Sequence, residues 1–141
     1  MGVRAVPWYL SAMSIEFILY VADQELSAKF YSALLGAGPT LDVPGMTEFT
    51  LPGGAKLGLM PEAGIARIIS GPMPHPSTGH GIPRCEVYLL VEDLSVACER
   101  AERAGATIVD ATSERDWGHR VAYYADDDGH IIALAEPTGD H

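Results

Sequence analysis

A chain of 141 residues that is 48% hydrophobic and 20% charged has the composition of a single folded domain, not of a disordered segment. Its 19 acidic and 9 basic residues give a formal net charge of −10, which argues against a nucleic-acid partner because phosphates must be neutralised by clustered Lys and Arg. No apolar run approaches the roughly 20 residues that span a bilayer. We therefore expect no membrane role and a small neutral or cationic ligand, although negative charge also serves solubility alone.

The cysteines and the N-terminus indicate the setting of the protein. Cys85 and Cys98 are too few for a disulfide framework and do not form a CxxC pair, so a reduced, cytoplasmic environment is expected. Residues 1–13 show neither a signal-peptide pattern nor a myristoylation pattern. We interpret them as an N-terminal extension that precedes the domain.

The first half of the domain, residues 14–60, reads as a strand, a helix and three short strands. The first strand is almost entirely apolar and is predicted to be buried on both faces. Asp23 can cap the helix that follows, and Gly36 can end it. Turns rich in Pro and Gly separate the later strands. The strands are predicted at 15–21, 40–43, 47–51 and 55–60.

The second half, residues 84–136, repeats this order after a Pro-rich and Gly-rich linker at 61–83. The linker is long for a compact domain, which suggests a mobile segment or a lid. Residues 137–141 form a C-terminal tail. The second half is predicted to contain strands at 86–91, 107–110, 119–125 and 130–135, and a helix at 94–104 capped by Asp93.

The same pattern occurs in both halves, and the two copies lie 70 residues apart when counted from Glu16 to Glu86. In each copy a Glu precedes an apolar run that ends in Val, an Asp follows two residues later, and a helical segment ends at Gly. A duplicated strand-helix unit is therefore predicted. Its residues are Glu16, Val21, Asp23 and Gly36 in the first copy, and Glu86, Val91, Asp93 and Gly105 in the second.

Further motifs extend this pattern into a family resemblance. They are Phe30-Tyr31 and Leu35-Gly36 in the first helix, and Trp117-Gly118-x-Arg120 followed by Asp126-x-Asp128-Gly129 near the end. With these motifs, residues 14–136 resemble the vicinal oxygen chelate superfamily, which includes glyoxalase I, bleomycin-resistance proteins and extradiol dioxygenases. The resemblance implies an α+β domain in which two tandem βαβββ modules form a curved mixed sheet around a cavity, with helices on the outer face. It also implies a homodimer.

The resemblance also implies where a divalent metal would bind. Superfamily enzymes hold the metal with side chains from the first and last strand of each module, which correspond here to Glu16 and Gly58, and to Glu86 and Ala133. Gly58 and Ala133 have no donor atom in a side chain. Because a catalytic metal usually has at least three protein ligands, we expect no cofactor. If a metal does bind, Glu16 and Glu86 are its candidate ligands.

Strand alternation predicts which side chains face the cavity. Lys56 and Arg120 are the candidate partners of Glu16 and Glu86, with Arg120 on the cavity side if the last hairpin pairs Tyr124 with Ile131. Without such partners, both Glu would have raised pKa values or bind a cationic group of the ligand. Trp117 either stacks on a planar ligand or covers the edge of the sheet. The predicted ligand-binding residues are Glu16, Tyr20, Lys56, Met60, Glu86, Tyr88, Trp117, Arg120 and Tyr124.

Two other groups near the end of the chain have simpler interpretations. The acidic run 126–128 resembles the start of a calcium loop, but no Glu follows at the twelfth position, and a tight turn is expected. His119 and His130 have no nucleophile or carboxylate at a diagnostic spacing, so both are predicted to be surface histidines on strands.

Three functions are compatible with these observations. The leading hypothesis is a metal-independent small-molecule-binding protein that sequesters an aromatic or cationic compound. The first alternative is a lyase, isomerase or dioxygenase of the same superfamily that uses Glu16 and Glu86 as metal ligands or as a general acid and base. The second alternative is a non-catalytic interaction or regulatory module.

Overall fold

Two βαβββ modules are present in the computed structural model, which describes residues 14–139. Module one contains β1 (Glu16–Val21), α1 (Gln24–Leu35), β2 (Leu41–Val43), β3 (Met46–Thr50) and β4 (Lys56–Pro61). The connection contains α2 (Glu62–Ile69) and a short 3-10 turn (Pro76–Gly79). Module two contains β5 (Glu86–Leu90), α3 (Leu94–Arg103), β6 (Thr107–Glu114), β7 (His119–Ala125) and β8 (Ile131–Pro137).

The predicted α+β class and the module order are confirmed. The connection at 61–83 differs from the expected structureless linker, because its first part forms α2. The predicted extension at residues 1–13 lies outside the described part of the chain. Within that part, none of the helices combines the length and the apolar composition needed to span a bilayer.

Helix boundaries follow the local signals in the sequence. The carboxylate of Asp23 accepts a hydrogen bond from the backbone N–H of Leu26 at 3.0 Å, and Asp93 caps α3 in the same way through Val96 at 3.2 Å. Gly36 ends α1 with a φ of 71°, a left-handed conformation that glycine adopts without a steric penalty. In both modules the helix therefore begins with the same N-capping interaction.

The strands form two four-stranded sheets, in the orders β1-β4-β3-β2 and β5-β8-β7-β6. The chain thus has two separate sheets where one curved sheet was expected. In each sheet the first strand of the module pairs in parallel with the last, and the remaining pairs are antiparallel. This pairing places Gly58 beside Ile18 and Ala133 beside Tyr88.

One apolar core joins the two modules. It contains side chains from α1 and α3 together with those on the facing side of each sheet. Both helices therefore lie opposite the expected cavity side. We call the other side of each sheet, which points away from α1 and α3, its open face. The core is made of Leu19, Val21, Phe30, Tyr31, Leu34, Phe49, Leu57, Leu59, Leu94, Ala97, Ala101, Ala122, Tyr124, Ile132 and Leu134.

The burial of β1 reflects this layering. Leu19 and Val21 point into the core and are buried, whereas Ile18 and Tyr20 point to the open face and are exposed. Phe17 is also exposed, although strand alternation places it on the same side as Leu19 and Val21. The prediction that this strand is buried on both faces is therefore wrong.

The turn between β7 and β8 packs closely on the backbone of the connection at Gly81. Gly129 has a φ of 88°, and a Cβ atom added there would lie 3.0 Å from the Cα of Gly81. The partner atom belongs to the backbone, so it cannot move away as a flexible side chain would. Glycine at this position is therefore required both by conformation and by packing.

Gly129→Ala is expected to lower the free energy of unfolding by about 1–3 kcal/mol more than Gly45→Ala. Gly45 is the matched control because its φ is 95° and no atom lies within 4 Å of its added Cβ, so it reports the conformational cost alone. Urea denaturation of both variants measures the difference. Equal losses of stability would show that the approach of Gly81 does not constrain the turn.

Candidate functional site

The open face of module one has a charged cluster around Gly58. Lys56 Nζ lies 3.5 Å from Glu48 Oε1, and Glu48 is the neighbour of Gly58 on β3. The Oε2 atom of Glu16 is buried, has no hydrogen-bond partner within residues 14–139, and would collide with a Cβ atom at position 58. The space that Gly58 leaves is therefore occupied by the Glu16 carboxyl group.

This cluster differs in one respect from the sequence prediction. Lys56 was expected to pair with Glu16 or Glu86, but its ion pair is with Glu48. Glu48 was not among the predicted site residues. The alternation of β3 could have identified it, because Glu48 shares its parity with Met46 and Thr50 and is the one acidic residue on that face of the strand.

Burial raises the pKa of Glu16, and contact with the Glu48 carboxyl group raises it further, while the charge of Lys56 opposes the shift. An ionised Glu16 would leave Oε2 without a donor. Protonation of the Glu16 carboxyl group would supply that donor, and the raised pKa favours the protonated form relative to an ordinary Glu. Glu16 therefore gains a proton at higher pH than an ordinary Glu.

The open face of module two presents aromatic side chains above a floor of small residues. Trp117 Nε1 donates a hydrogen bond to Tyr88 Oη at 2.9 Å, and Tyr88 Oη lies 2.6 Å from His119 Nδ1. Because an indole N–H can only donate, the Tyr88 hydroxyl is free to donate to His119. The floor consists of Val121, Ala133 and Ala135, all fully buried.

These contacts assign positions to several predicted residues. Tyr88 and Trp117 are brought together, and Glu86 is exposed two residues before Tyr88 on the same face. His119 was expected to be a surface histidine, but it forms part of this hydrogen-bonded group. Tyr123 lies beside Ala133 on the open face, with the Arg115 guanidinium 5.1 Å from its ring centre.

Arg120 and Tyr124 do not lie on this face. Arg120 Nε pairs with Glu136 at 3.2 Å instead of with Glu16 or Glu86, and Tyr124 is buried in the core, where its hydroxyl donates to Glu102 at 2.9 Å. The expected pairing of Tyr124 with Ile131 is wrong by one residue. A shift of one residue moves a whole strand to the opposite face, which explains both misplacements.

The two modules place their open-face residues apart. Tyr20 lies beside Met60 on the open face of module one, together with Glu16, whereas Glu86 lies on the open face of module two. The shared core separates the two sheets. Glu16 and Glu86 therefore do not form one site within a single chain.

Comparison with known proteins identifies the family. The sequence profile described as Glyoxalase/Bleomycin resistance protein/Dioxygenase superfamily matches residues 14–134. The chain belongs to this superfamily. Two curated relatives, uncharacterised proteins of Mycobacterium bovis and Mycobacterium tuberculosis, are each 32% identical over 74 residues, which is 52% of this chain. The match covers 48% and 43% of their respective lengths, so the chain spans less than half of either relative.

Solved structures of the superfamily share the fold. A glyoxalase-related enzyme from Fulvimarina pelagi is 21% identical, with a TM-score of 0.74 over 89% of this chain and 88% of that chain. A glyoxalase/bleomycin resistance protein/dioxygenase from Nocardioides is 20% identical, with a TM-score of 0.70 over 99% of this chain and 89% of that chain. At these identities the likeness establishes architecture and leaves the ligand open.

The superfamily includes metal-dependent enzymes, but the open faces of this member do not fit a divalent metal. Gly58 and Ala133 supply no ligand, and Glu16 directs its carboxyl group toward Glu48 and the space above Gly58. An ammonium group, that of Lys56, shares this patch and opposes a further cation. The remaining donor set is too small for a tightly held metal.

Within residues 14–139, the one group of three side chains with metal-ligand spacing is Asp126, Asp128 and His130. The oxygens of Asp126 already accept hydrogen bonds from the amides of Asp128 and His130, from the Tyr31 hydroxyl at 2.6 Å and from His130 Nδ1 at 2.8 Å. Asp128 Oδ1 accepts the N–H of Ala22 at 3.0 Å. Hydrogen-bond donors of the protein thus already use the oxygen atoms of this group. The tight turn that was expected here is present, and its buried carboxylates attach it to module one.

His130 is correspondingly not the surface histidine that was predicted, since only 18% of its side chain is exposed. Burial lowers its pKa, but the hydrogen bond and the charge of Asp126 outweigh that effect and raise the pKa overall. Burial likewise opposes ionisation of Asp126, yet hydrogen bonds from His130 and Tyr31 hold its pKa below the ordinary value. The imidazolium-carboxylate form of this pair therefore persists to higher pH than the charge of an isolated histidine would.

Replacing Glu48 by Gln is expected to lower the pKa of Glu16 part of the way toward its ordinary value. Burial, the larger cause of the shift, remains in the variant, while the acidic neighbour is removed. Carbon-13 NMR titration of the side-chain carboxyl groups measures this change. Glu99→Gln, on the exposed side of α3, is the matched control and should leave Glu16 unaffected. An unchanged or higher pKa of Glu16 in the Glu48 variant would show that the Glu48 carboxyl group does not raise it.

The His130 ion pair makes stability depend on pH in a defined direction. Because the folded-state pKa is raised, its contribution is complete below the unfolded value of about 6.5 and is lost as the pH rises through the folded value. His130→Gln should therefore lose most stability relative to the wild type near pH 6, and less at pH 9. Urea denaturation at several pH values measures this difference, and parallel profiles for the two proteins would refute it.

Proposed function

We propose that this superfamily member is a metal-independent binding protein that sequesters a small aromatic or cationic compound on its open faces. The hydrogen-bonded group of Trp117, Tyr88 and His119 carries the proposal. Its side chains are already linked to one another above the small side chain of Ala133, so a planar ligand could stack with little loss of side-chain entropy.

The charges of the open faces support a cationic ligand. Glu86 is an exposed carboxylate on the same strand and face as Tyr88, and the aromatic rings of Tyr88 and Trp117 attract cations through their electron-rich faces. The formal net charge of −10 favours the approach of a cation. Burial of Trp117 beneath a ligand would also shield a side chain that is now 52% exposed.

We further propose a homodimer. The open faces and the neighbouring connection expose large apolar side chains, which a monomer in water rarely leaves uncovered as a group. A second copy that sets the open face of module one against that of module two would cover them and bring Glu16 of one copy near Glu86 of the other. The side chains concerned include Ile18, Tyr20, Ile68, Met73, Ile82, Tyr88, Leu90 and Trp117. Free Cys85 and Cys98 fit the reduced, cytoplasmic setting that we propose.

One observation favours a second candidate function. A Glu16 carboxyl group with a raised pKa beside a second carboxyl group, that of Glu48, has the arrangement of a general acid-base pair, as in enzymes where two neighbouring carboxyl groups act together. A metal-independent lyase or isomerase is therefore the alternative. Turnover abolished in Glu16→Gln while ligand binding persists would favour it over sequestration.

A thermal-shift screen with planar aromatic cations, matched with neutral and anionic analogues, tests the leading proposal. A specific ligand raises the melting temperature because it binds the folded state. Trp117→Ala should weaken binding of the best cation about tenfold or more, since a stacked aromatic anchor contributes at least 1–2 kcal/mol.

Two controls make this test specific. Phe17→Ala removes an aromatic side chain that is also exposed but lies outside the proposed site, and it should not change the affinity. Glu86→Gln should weaken the binding of cations more than the binding of neutral analogues, whereas Glu92→Gln should affect neither. A Trp117 variant that binds like the wild type, or a screen in which no compound raises the melting temperature, would count against the proposal.

A further inference from the structure

A separate cavity of about 220 Å³ lies where the two modules meet. It is bounded by β1, by residues of the connection and by the turn between β7 and β8. It shares Ile18 and Tyr20 with the open face of module one but includes none of the aromatic residues of module two. Its size suits a molecule smaller than the drug-sized ligands of cavities of roughly 300–1,000 Å³.

His130 provides one polar group of this cavity. Its Nδ1 atom is held by Asp126 at 2.8 Å, whereas Nε2 has no hydrogen-bond partner within residues 14–139. The carboxylates behind it are occupied, because Asp126 accepts from Tyr31 and Asp128 accepts from Ala22. The network therefore leaves Nε2 of His130 available to a ligand; it is an N–H donor in the imidazolium form, which the raised pKa of His130 favours.

Arg84 provides a second donor at the same cavity. Its guanidinium group packs so closely on Gly79 that an added Cβ atom there would lie 3.0 Å from Nη2. Among residues 14–139 Arg84 has no ion-pair partner. The absence of a side chain at Gly79 thus allows the Arg84 guanidinium group to lie beside the cavity.

Backbone groups of β1 add donors and acceptors. The N–H of Lys56 bonds to the carbonyl of Ile15, so the odd-numbered residues of β1 direct their backbone groups toward β4. The N–H and C=O groups of Ile18 and Tyr20 consequently point to the free edge of the strand, which borders the cavity.

The cavity also contains an opposing charge and an apolar wall. Glu62, the first residue of α2, lines it and acts on His130 through its negative charge. Ile18 and Ile82 contribute apolar surface. A site that offers cationic donors and a carboxylate together discriminates against molecules that carry only one sign of charge.

We infer that this cavity binds a small zwitterion, an α-amino acid with a short apolar side chain. Its carboxylate contacts Arg84 and His130, its ammonium group contacts Glu62, and its side chain lies against Ile18 and Ile82. This site is additional to the aromatic site on the open face of module two.

Titration of the full chain with L-alanine, followed by two-dimensional amide NMR, tests the inference against two single-charge analogues, propionate and propylammonium. Saturable shifts are expected at Ile18, Tyr20 and Arg84, with an affinity for alanine about tenfold or more above that for either analogue. Arg84→Gln should abolish the preference for alanine over propylammonium, and Glu62→Gln the preference over propionate.

Arg67→Gln, at an exposed position of α2 that does not line the cavity, is the matched control and should bind alanine like the wild type. Binding of aromatic cations monitored through Trp117 should be unchanged in Arg84→Gln, which separates this site from the aromatic one. Absence of saturable shifts, equal affinity for alanine and propionate, or equal effects of the Arg84 and Arg67 substitutions would each overturn the inference.

Discussion

The attachment of one turn of module two to module one determines the arrangement of this protein. Asp126 accepts the hydroxyl of Tyr31, and Asp128 accepts the backbone N–H of Ala22, contacts between residues 95 and 106 positions apart in the chain. Because both carboxylates are buried, leaving either without its donor would be costly, and the turn is held in one position. Helices α1 and α3 then share a single core, and the two open faces point away from it.

This arrangement separates the chemistry of the two modules. Module one presents acidic groups with one ammonium group, and module two presents linked aromatic side chains above small residues. Gly58 and Ala133 lack the donors that a metal would require, and the Glu16 carboxyl group occupies the space beside Gly58. The proposed function follows from this combination, since stacking and charge attraction need no metal. Pairing of two copies would bring both kinds of surface to one ligand.

Local signals in the sequence were sufficient to predict the helices and strands. The positions of the site residues depend on long-range strand pairing, which the sequence predicted less well. Asp23 and Gly36 mark the start and the end of α1 as predicted, because helix capping depends only on residues close in sequence. Arg120 and Tyr124 were assigned to the wrong face because the register of β7 against β8 differs from the expected one by a single residue. The burial of His130 could not be predicted, since its partner Asp126 is held by Tyr31, which lies on a helix of the other module.

The central claim is that a small ligand binds to the open faces without a metal. Calorimetric titration with the tightest aromatic cation, before and after exhaustive dialysis against EDTA, tests it most directly. The account predicts the same affinity and stoichiometry in both samples, because stacking on Tyr88 and Trp117 and attraction to Glu86 involve no metal. Loss of binding after dialysis, with recovery on addition of a divalent cation, would contradict it.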